Sequence, residues 1–371
     1  YRQGMTTLTG GNLSILDPNG DLWITPSGVD KGALRPQDMM CVRAALAGGA
    51  LGAVEGPHRV SSELPFHTAI YRQRPDLRAI VHAHSKALVT FSMLRTVPDT
   101  RVLPQAYAVC GPVGYAPYAM MSSDQLAVNV AAVFADGPAS GPHNAALFEN
   151  HSGAAGGADL LQAFQRFETL DFCARTLIRA RALGEVNTLS EAALNLFDQR
   201  KNQLPEFVPV SHSSRERELR QQIVDITARA CDRHLMISTE GVVSARVQEA
   251  RDPRISFLIT PTGHDRRTLA SEDIVLVQGG AREAGKMPSR SVRLHEAIYA
   301  RHPDIQCVMM AQSPNATAYA ITTAVFDSRT IPECFILLRD IPLVPFKTLY
   351  TQAEAVAEMV SLNSPVLLVQ N

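Results

Sequence analysis

Two histidines separated by one residue open the chemical reading of this chain. Ile80-Val81-His82-Ala83-His84 reads as a strand. Successive strand side chains point to opposite faces, so His82 and His84 share one face. Two imidazoles so placed on a rigid strand can both reach one metal ion. An isolated pair with this spacing is more often two polar residues facing solvent. The apolar run Ala79 to Val81 argues instead for a buried strand, where two histidines need partners. A catalytic zinc site usually takes three protein ligands and keeps one position open. His151 follows the apolar strand Ala145 to Phe148, precedes a glycine-rich turn, and is the best third candidate. Alone, a histidine at a strand end is more often structural. His67 competes, but it sits mid-helix among apolar neighbours and recurs later in the chain, which suits a scaffold role.

Glu63 is the acid/base candidate. It follows Ser61-Ser62 and opens a helix, whose N-terminus stabilises its anionic form, as would a nearby metal. The bland alternative is an ordinary helix-start glutamate. Ser61-Ser62, Thr25-Pro26-Ser27-Gly28 and Gly10-Gly11-Asn12-Leu13-Ser14 offer hydroxyls, small side chains and free backbone N–H groups, a combination that can cradle a phosphate. Each is, alone, an ordinary turn.

The elements that must position these groups follow from pattern. Leu64 to Arg74 reads as a helix capped by Ser61 or Ser62 with Pro65 in its first turn. Leu22 to Thr25 reads as a strand, and Leu160 to Leu177 carries apolar residues at helical spacing. Strands in succession with helices between groups of them indicate a mixed α/β (α+β type) layer fold. At 371 residues, with 46% hydrophobic and 19% charged residues, the chain can bury full cores and is no disordered or collagen-like polymer. A net charge of −1 without a basic block argues against nucleic acid, and no stretch approaches the roughly twenty apolar residues of a membrane span. Six scattered cysteines without a CxxC pair suit reduced thiols in a cytoplasmic setting better than a disulfide framework.

The chain also repeats itself. Ile24-Thr25-Pro26-Ser27-Gly28 recurs as Ile259-Thr260-Pro261-Thr262-Gly263, at an offset of 235 residues. His67, Ala69, Ile70, Tyr71, Pro75 and Asp76 recur as His295, Ala297, Ile298, Tyr299, Pro303 and Asp304, at 228. Two homologous domains are expected: 1–190 with the chemistry, a linker at 191–214, and 215–371. Arg215 to Arg233 reads as an amphipathic helix whose first-copy counterpart would precede Tyr1. The second copy stops in register with Glu149-Asn150, so both outer ends are expected to be cropped.

Taken in order, GGNLS at 10–14, TPSG at 25–28, SSELPFH at 61–67, HAH at 82–84 and ENHSG at 149–153 resemble the class II aldolase/adducin family, which includes fuculose-phosphate aldolase. The resemblance covers nearly all of the first copy. It implies two tandem αβα three-layer domains, each around a largely antiparallel sheet. It implies a divalent metal on His82, His84 and His151: Zn2+ by family habit, with Mn2+, Co2+ and Fe2+ as the other candidates. Glu63 matches the family's acid/base, and Tyr107 lies near its catalytic tyrosine. Asn12, Thr25, Ser27, Gly28, Ser61 and Ser62 match its phosphate-holding positions. The family's third histidine is normally followed directly by glycine; here Ser152 intervenes. The implied function is a carbon–carbon lyase acting on a small phosphorylated ketose through a metal-stabilised enediolate. Epimerisation or dehydration at the same site, and a non-enzymatic adducin-like assembly role, are the alternatives.

The second copy has lost the reactive set. Glu63 becomes Ser291, His82 becomes Met310, His84 becomes Gln312, Ser62 becomes Arg290, Tyr107 becomes Phe335 and Asn12 becomes Val242. Its framework prolines, glycines and apolar residues persist. The expectation is a metal-free structural partner, with a separate ligand site near Arg290 and Arg293 as the alternative. Family members form rings, so a homodimer presenting four domains in a pseudo-tetrameric ring is expected.

Overall fold

The structure is a computed structural model that describes residues 1–46, 52–138, 141–198, 203–247 and 254–370. Part of the expected linker, residues 199–202, lies outside the described residues. The chain divides into two compact units, Tyr1–Ile178 and Arg179–Asn371.

In the first unit the elements run β1 (Asn12–Leu16), β2 (Leu22–Ile24), β3 (Met40–Val42), β4 (Val54–Glu55), α1 (Leu64–Gln73), β5 (Ala79–Ala83), α2 (Lys86–Met93), α3 (Pro104–Cys110), β6 (Gly114–Ala116), α4 (Asp124–Ala135), β7 (Ala145–Phe148), β8 (Ser152–Gly157) and α5 (Leu160–Leu183), which runs past the unit boundary. The strands form one eight-stranded sheet in the order β4-β3-β2-β1-β5-β8-β7-β6. Every neighbour pair is antiparallel except β6 with β7.

Helix α1 buries Leu64, Phe66, His67, Thr68, Ile70 and Tyr71, a stripe at three- and four-residue spacing that faces the core. With Leu126, Val130 and Phe134 of α4 it covers one face of the sheet, over Leu22, Ile24, Ile80, Ala146 and Phe148. Fully burying a side chain such as Phe148 contributes about 1.5–3 kcal/mol. The first turn of α5 lies on the opposite face, where a Cβ on Gly157 would come within 2.4 Å of the Ala163 nitrogen. Gly156, its neighbour in β8, points the other way, against Leu77. Helices on both faces of a largely antiparallel sheet make the expected αβα sandwich.

Two local expectations are corrected. The glycine-rich run after His151 is no turn but the central strand β8, paired with both β5 and β7. Small residues are required there because helix and neighbouring strands approach closely, a packing reason that overrides glycine's poor strand propensity. Helix α1 is not capped by a serine either. Glu63 occupies the N-cap position without a side-chain cap bond, and Ser61 Oγ accepts from Glu63 N at 3.3 Å.

The second unit begins with the end of α5 and continues through α6 (Glu191–Asp198), β9 (Glu206–Phe207), α7 (Ser214–Asp232), β10 (Val242–Arg246), β11 (Ser256–Ile259), β12 (Val275–Gln278), β13 (Ala281–Glu283), α8 (Val292–Arg301), β14 (Cys307–Met310), α9 (Pro314–Ala320), α10 (Pro332–Leu338), β15 (Leu343–Val344), α11 (Phe346–Thr351), α12 (Ala353–Glu358) and β16 (Leu368–Val369). A six-stranded sheet runs β14-β10-β11-β12-β13-β9, and β15 pairs with β16 separately. The stretch β14-β10-β11-β12-β13 has the pairing of β5-β1-β2-β3-β4. Val242 lies opposite Met310, as Asn12 lies opposite His82. The core of this unit gathers Phe257, Ile259, Val275, Val277, Ile298 and Tyr299. Among the described residues no helix is long and apolar enough to cross a membrane.

Candidate metal centre

Strand β5 lies between β1 and β8, which places His82 opposite Asn12 on one side and Ala154 on the other. His82 has no exposed surface. Its ring stacks on Phe148 at 5.6 Å between centroids and meets the edge of Phe66 at 5.4 Å. Its Nδ1 donates to the Gly153 carbonyl at 2.9 Å. That bond fixes the tautomer and leaves Nε2 with a lone pair, the arrangement typical of a metal-ligating histidine. His84 stands just past the end of β5. His151 sits in the β7–β8 turn, where Asn150 adopts a φ of 53°, a left-handed conformation that asparagine tolerates.

Three nitrogens converge. His82 Nε2 lies 3.0 Å from His84 Nε2, which lies 3.1 Å from His151 Nε2. Ligands about 2.0–2.1 Å from a tetrahedral ion stand roughly 3.3 Å apart, so the spacing fits a metal tripod. Glu63 closes the group, with Oε2 at 3.4 Å from His82 Nε2 and Oε1 at 3.3 Å from His151 Nε2. The ligand atoms of all four residues lie within 4.8 Å of one another. Burial pushes the His82 pKa down to about 3 and that of His151 down to about 4, and lowers that of His84. Neutral imidazoles with free lone pairs are the form a divalent cation needs. The donor set fits a borderline metal such as zinc.

Asn12 and Ser61 enter the same cluster. Asn12 Nδ2 donates to Glu63 Oε2 at 2.6 Å and to Ser61 Oγ at 3.2 Å. Thr25, just beyond the end of β2, accepts from Leu13 N at 3.1 Å and is buried beside the Asn12 strand. Ser27 and Gly28 lie on the following loop, tied through Ser27 N to the Arg59 carbonyl at 2.9 Å. Ser27 and Ser62 are exposed, and Gly28 has a φ of 72° with open space where a Cβ would stand. Tyr107 lies on α3; among the described residues no hydrogen bond links it to the cluster.

Four contributors have roles that sequence reasoning did not assign. Ser152 Oγ donates to the Ala83 carbonyl at 2.6 Å, so the residue that departs from the family pattern pins β8 to the strand end between the two histidines. Lys31 Nζ donates to the Pro26 carbonyl at 2.7 Å, placing a cation on the Thr25–Gly28 loop, and burial lowers its pKa. Ser14 and Tyr71 join His67, whose Nδ1 meets Ser14 Oγ at 2.7 Å and whose Nε2 meets Asn12 Oδ1 at 2.5 Å. The repeat of His67 and Tyr71 as His295 and Tyr299 was the available signal. In the second unit Ser244 bonds His295 and Tyr299 in the same way, but with Val242 in the asparagine's place His295 Nε2 has no hydrogen-bond partner among the described residues.

The sequence model described as "Class II Aldolase and Adducin N-terminal domain" matches residues 1–178 and 221–371. A 5-deoxy-D-ribulose 1-phosphate aldolase of Bacillus thuringiensis serovar kurstaki is 33% identical over 190 residues, 51% of this chain and 83% of the relative. A 3-oxo-tetronate 4-phosphate decarboxylase of Escherichia coli K12 is 30% identical over 200 residues, 51% of this chain and 89% of the relative. The solved structure of an L-fuculose 1-phosphate aldolase shares 32% identity, covers 52% of this chain and 86% of its own, and superposes with a TM-score of 0.45. The two matched segments take in most of the chain, including every member of the histidine–glutamate cluster: the protein belongs to the class II aldolase and adducin family.

Proposed function

We propose that the first unit is a metal-dependent lyase that breaks a carbon–carbon bond in a small phosphorylated ketose, and that zinc on His82, His84 and His151 is its metal. The observation that carries this reading is the Glu63 carboxylate, held by Asn12 against three convergent imidazole nitrogens. A divalent ion there supplies positive charge beside the oxygens of a bound ketose. In a ketose 1-phosphate, breaking the bond between carbons 3 and 4 releases an aldehyde and leaves the electron pair on carbon 3, as the enediolate of dihydroxyacetone phosphate. Protonated Glu63 delivers a proton to that carbon; as a carboxylate it removes the same proton in the synthetic direction. The carbon-4 hydroxyl loses its own proton as the aldehyde forms; Tyr107 is proposed to take it up as a phenolate and to return it from the phenol in the synthetic direction. Ser61, Ser62, Thr25, Ser27 and Gly28 are proposed to hold the phosphate, while Asn12, expected among them, spends its amide hydrogens on Glu63 and Ser61 instead.

A second reading has a specific support, the similarity to a 3-oxo-tetronate 4-phosphate decarboxylase. There the leaving group is carbon dioxide, and the carbanion left behind is again the enediolate of dihydroxyacetone phosphate. One residue set therefore serves both reactions, and the co-product distinguishes them. The purified, zinc-loaded protein should be offered 5-deoxy-D-ribulose 1-phosphate, L-fuculose 1-phosphate and 3-oxo-tetronate 4-phosphate, with released dihydroxyacetone phosphate measured. An aldehyde co-product supports the aldolase, carbon dioxide the decarboxylase. No triose phosphate from any of them contradicts the lyase reading and favours an adducin-like assembly role.

The second unit is proposed to be a duplicate of the first that has given up chemistry for packing. Its shared strand pairing and its Ser244–His295–Tyr299 set support duplication. The chain is proposed to form a homodimer with four such domains and one metal per chain.

A further inference from the structure

We propose that His67 is a positioning residue for the reaction: its Nε2–H fixes the amide of Asn12, and the fixed amide fixes Glu63. The inference rests on the acid/base role of Glu63 proposed above.

The hydrogen-bond directions can be read from one end. Glu63 Oε2 lies 2.6 Å from Asn12 Nδ2, and a carboxylate only accepts, so the NH2 of Asn12 faces Glu63. Both amide hydrogens are then committed, one to Glu63 and one to Ser61 Oγ. The Asn12 carbonyl oxygen faces His67 Nε2, which must therefore carry a proton. His67 has no exposed surface, and burial holds its pKa near 3, so the ring is neutral and Nδ1 is bare. Ser14 Oγ then donates to Nδ1 at 2.7 Å, and the one Tyr71 hydroxyl proton is shared between Ser14 Oγ at 2.9 Å and the Ser14 carbonyl at 3.1 Å. From Ser14 onward every donor points the same way, through His67 and Asn12 to Glu63 in the site. Were the amide of Asn12 to rotate by half a turn, its oxygen would face the carboxylate. The His67 donor opposes that rotation.

The second unit separates the two ends of this chain of bonds. Ser244, His295 and Tyr299 repeat Ser14, His67 and Tyr71, with Ser244 Oγ 2.7 Å from His295 Nδ1. That half serves the fold. Val242 and Ser291 stand where Asn12 and Glu63 stand in the first unit, and His295 Nε2 is buried without a hydrogen-bond partner among the described residues. The Nε2 side of the ring is thus used only where a glutamate remains to be positioned.

The same substitution in the two units is the test. Asparagine keeps a polar group near Nδ1 but has none near Nε2, whereas glutamine keeps a donor near Nε2. With dihydroxyacetone phosphate release as the assay, His67→Asn should lower kcat by about 10²-fold, the usual cost of a small misplacement of a reacting group. Metal content and KM should hardly change. His67→Gln should recover most of kcat, and His295→Asn should leave kcat at the wild-type value while lowering thermal stability. Equal kcat in His67→Asn and the wild type, or equal loss in both asparagine variants, overturns the proposal. Should His67→Asn fail to fold, the imidazole ¹⁵N shifts of the wild-type protein decide. A protonated Nε2 with a bare Nδ1 on His67 upholds the chain of bonds, and the opposite tautomer refutes it. Normal turnover in Glu63→Gln would instead defeat the underlying function while leaving the tautomer of His67 as described.

Discussion

Metal affinity should depend on pH far less than three histidines would ordinarily require. An imidazole must lose its proton before it binds a cation, so protons compete with metal wherever the pH approaches the ligand pKa. Three ligands with an ordinary pKa of about 6.5 would each bind about fourfold more weakly at pH 6.0 than at pH 7.5, or about 50-fold together. Here burial has already removed the competition at two of them. His82 is held near 3 and His151 near 4, so neither binds a proton in that window. His84, lowered to a lesser extent, bounds the total at about fourfold. Zinc affinity measured by competition with a chromophoric chelator between pH 7.5 and 6.0 should therefore fall by no more than about fourfold. A fall approaching 50-fold would show that the histidines are solvated and protonated in the metal-free protein, and would refute the buried tripod.

His84→Ala should abolish tightly bound metal and turnover together, read by metal analysis of the purified variant; full occupancy would remove His84 from the ligand set. Glu63→Gln should retain metal and fold while losing roughly 10²–10⁴ in turnover, the range for one general acid/base. Sedimentation with metal analysis should find a dimer carrying one ion per chain; a monomer, or two ions per chain, contradicts the assembly proposed. Acid should unfold the metal-free first unit before the second. His67, His82 and His151 all have folded pKa values below the unfolded 6.5, so the unfolded state binds more protons and stability falls as the pH drops from 6.5 toward 4. At pH 5 each costs about 2 kcal/mol, some 6 kcal/mol against about 2 for His295 of the second unit. Proteolysis across a pH series should release first-unit peptides earlier, and the reverse order would show that these rings are not held neutral.

The parts of the site legible in the sequence are those fixed by short-range geometry. The strand alternation that places His82 and His84 on one side is a property of any strand; β5 ends at Ala83, yet His84 one residue on still brings its Nε2 to 3.0 Å from that of His82. The convergence of His151 and Glu63 on that pair depends on strand order, which residue spacing alone does not specify; an ordered set of motifs resembling a family supplied it. Glycine after His151 misled because local propensity describes an isolated segment, whereas β8 is shaped by the α5 backbone and Leu77 pressing on it. Ser152 was visible only as a departure from a pattern. Its reason, a hydroxyl bonded to the carbonyl between two ligands, exists only once β5 and β8 are paired.

His67 shows the limit most clearly. Recurrence in a copy without the reactive residues was sound grounds for a scaffold role, and its Nδ1 side has that role in both units. Yet one imidazole has two nitrogens, and sequence comparison scores a residue as a single object. The retained residue is therefore compatible with a lost function at one of its atoms. Among the described residues His295 Nε2 has no hydrogen-bond partner, as such a loss would leave it, and a buried polar atom left unpaired costs about 1–3 kcal/mol. A purely structural histidine would gain nothing from an arrangement that strands half of its ring. The first unit satisfies the same nitrogen with Asn12 and, through it, reaches Glu63. Fold and chemistry thus meet within one side chain, and the boundary between them runs between its two nitrogens.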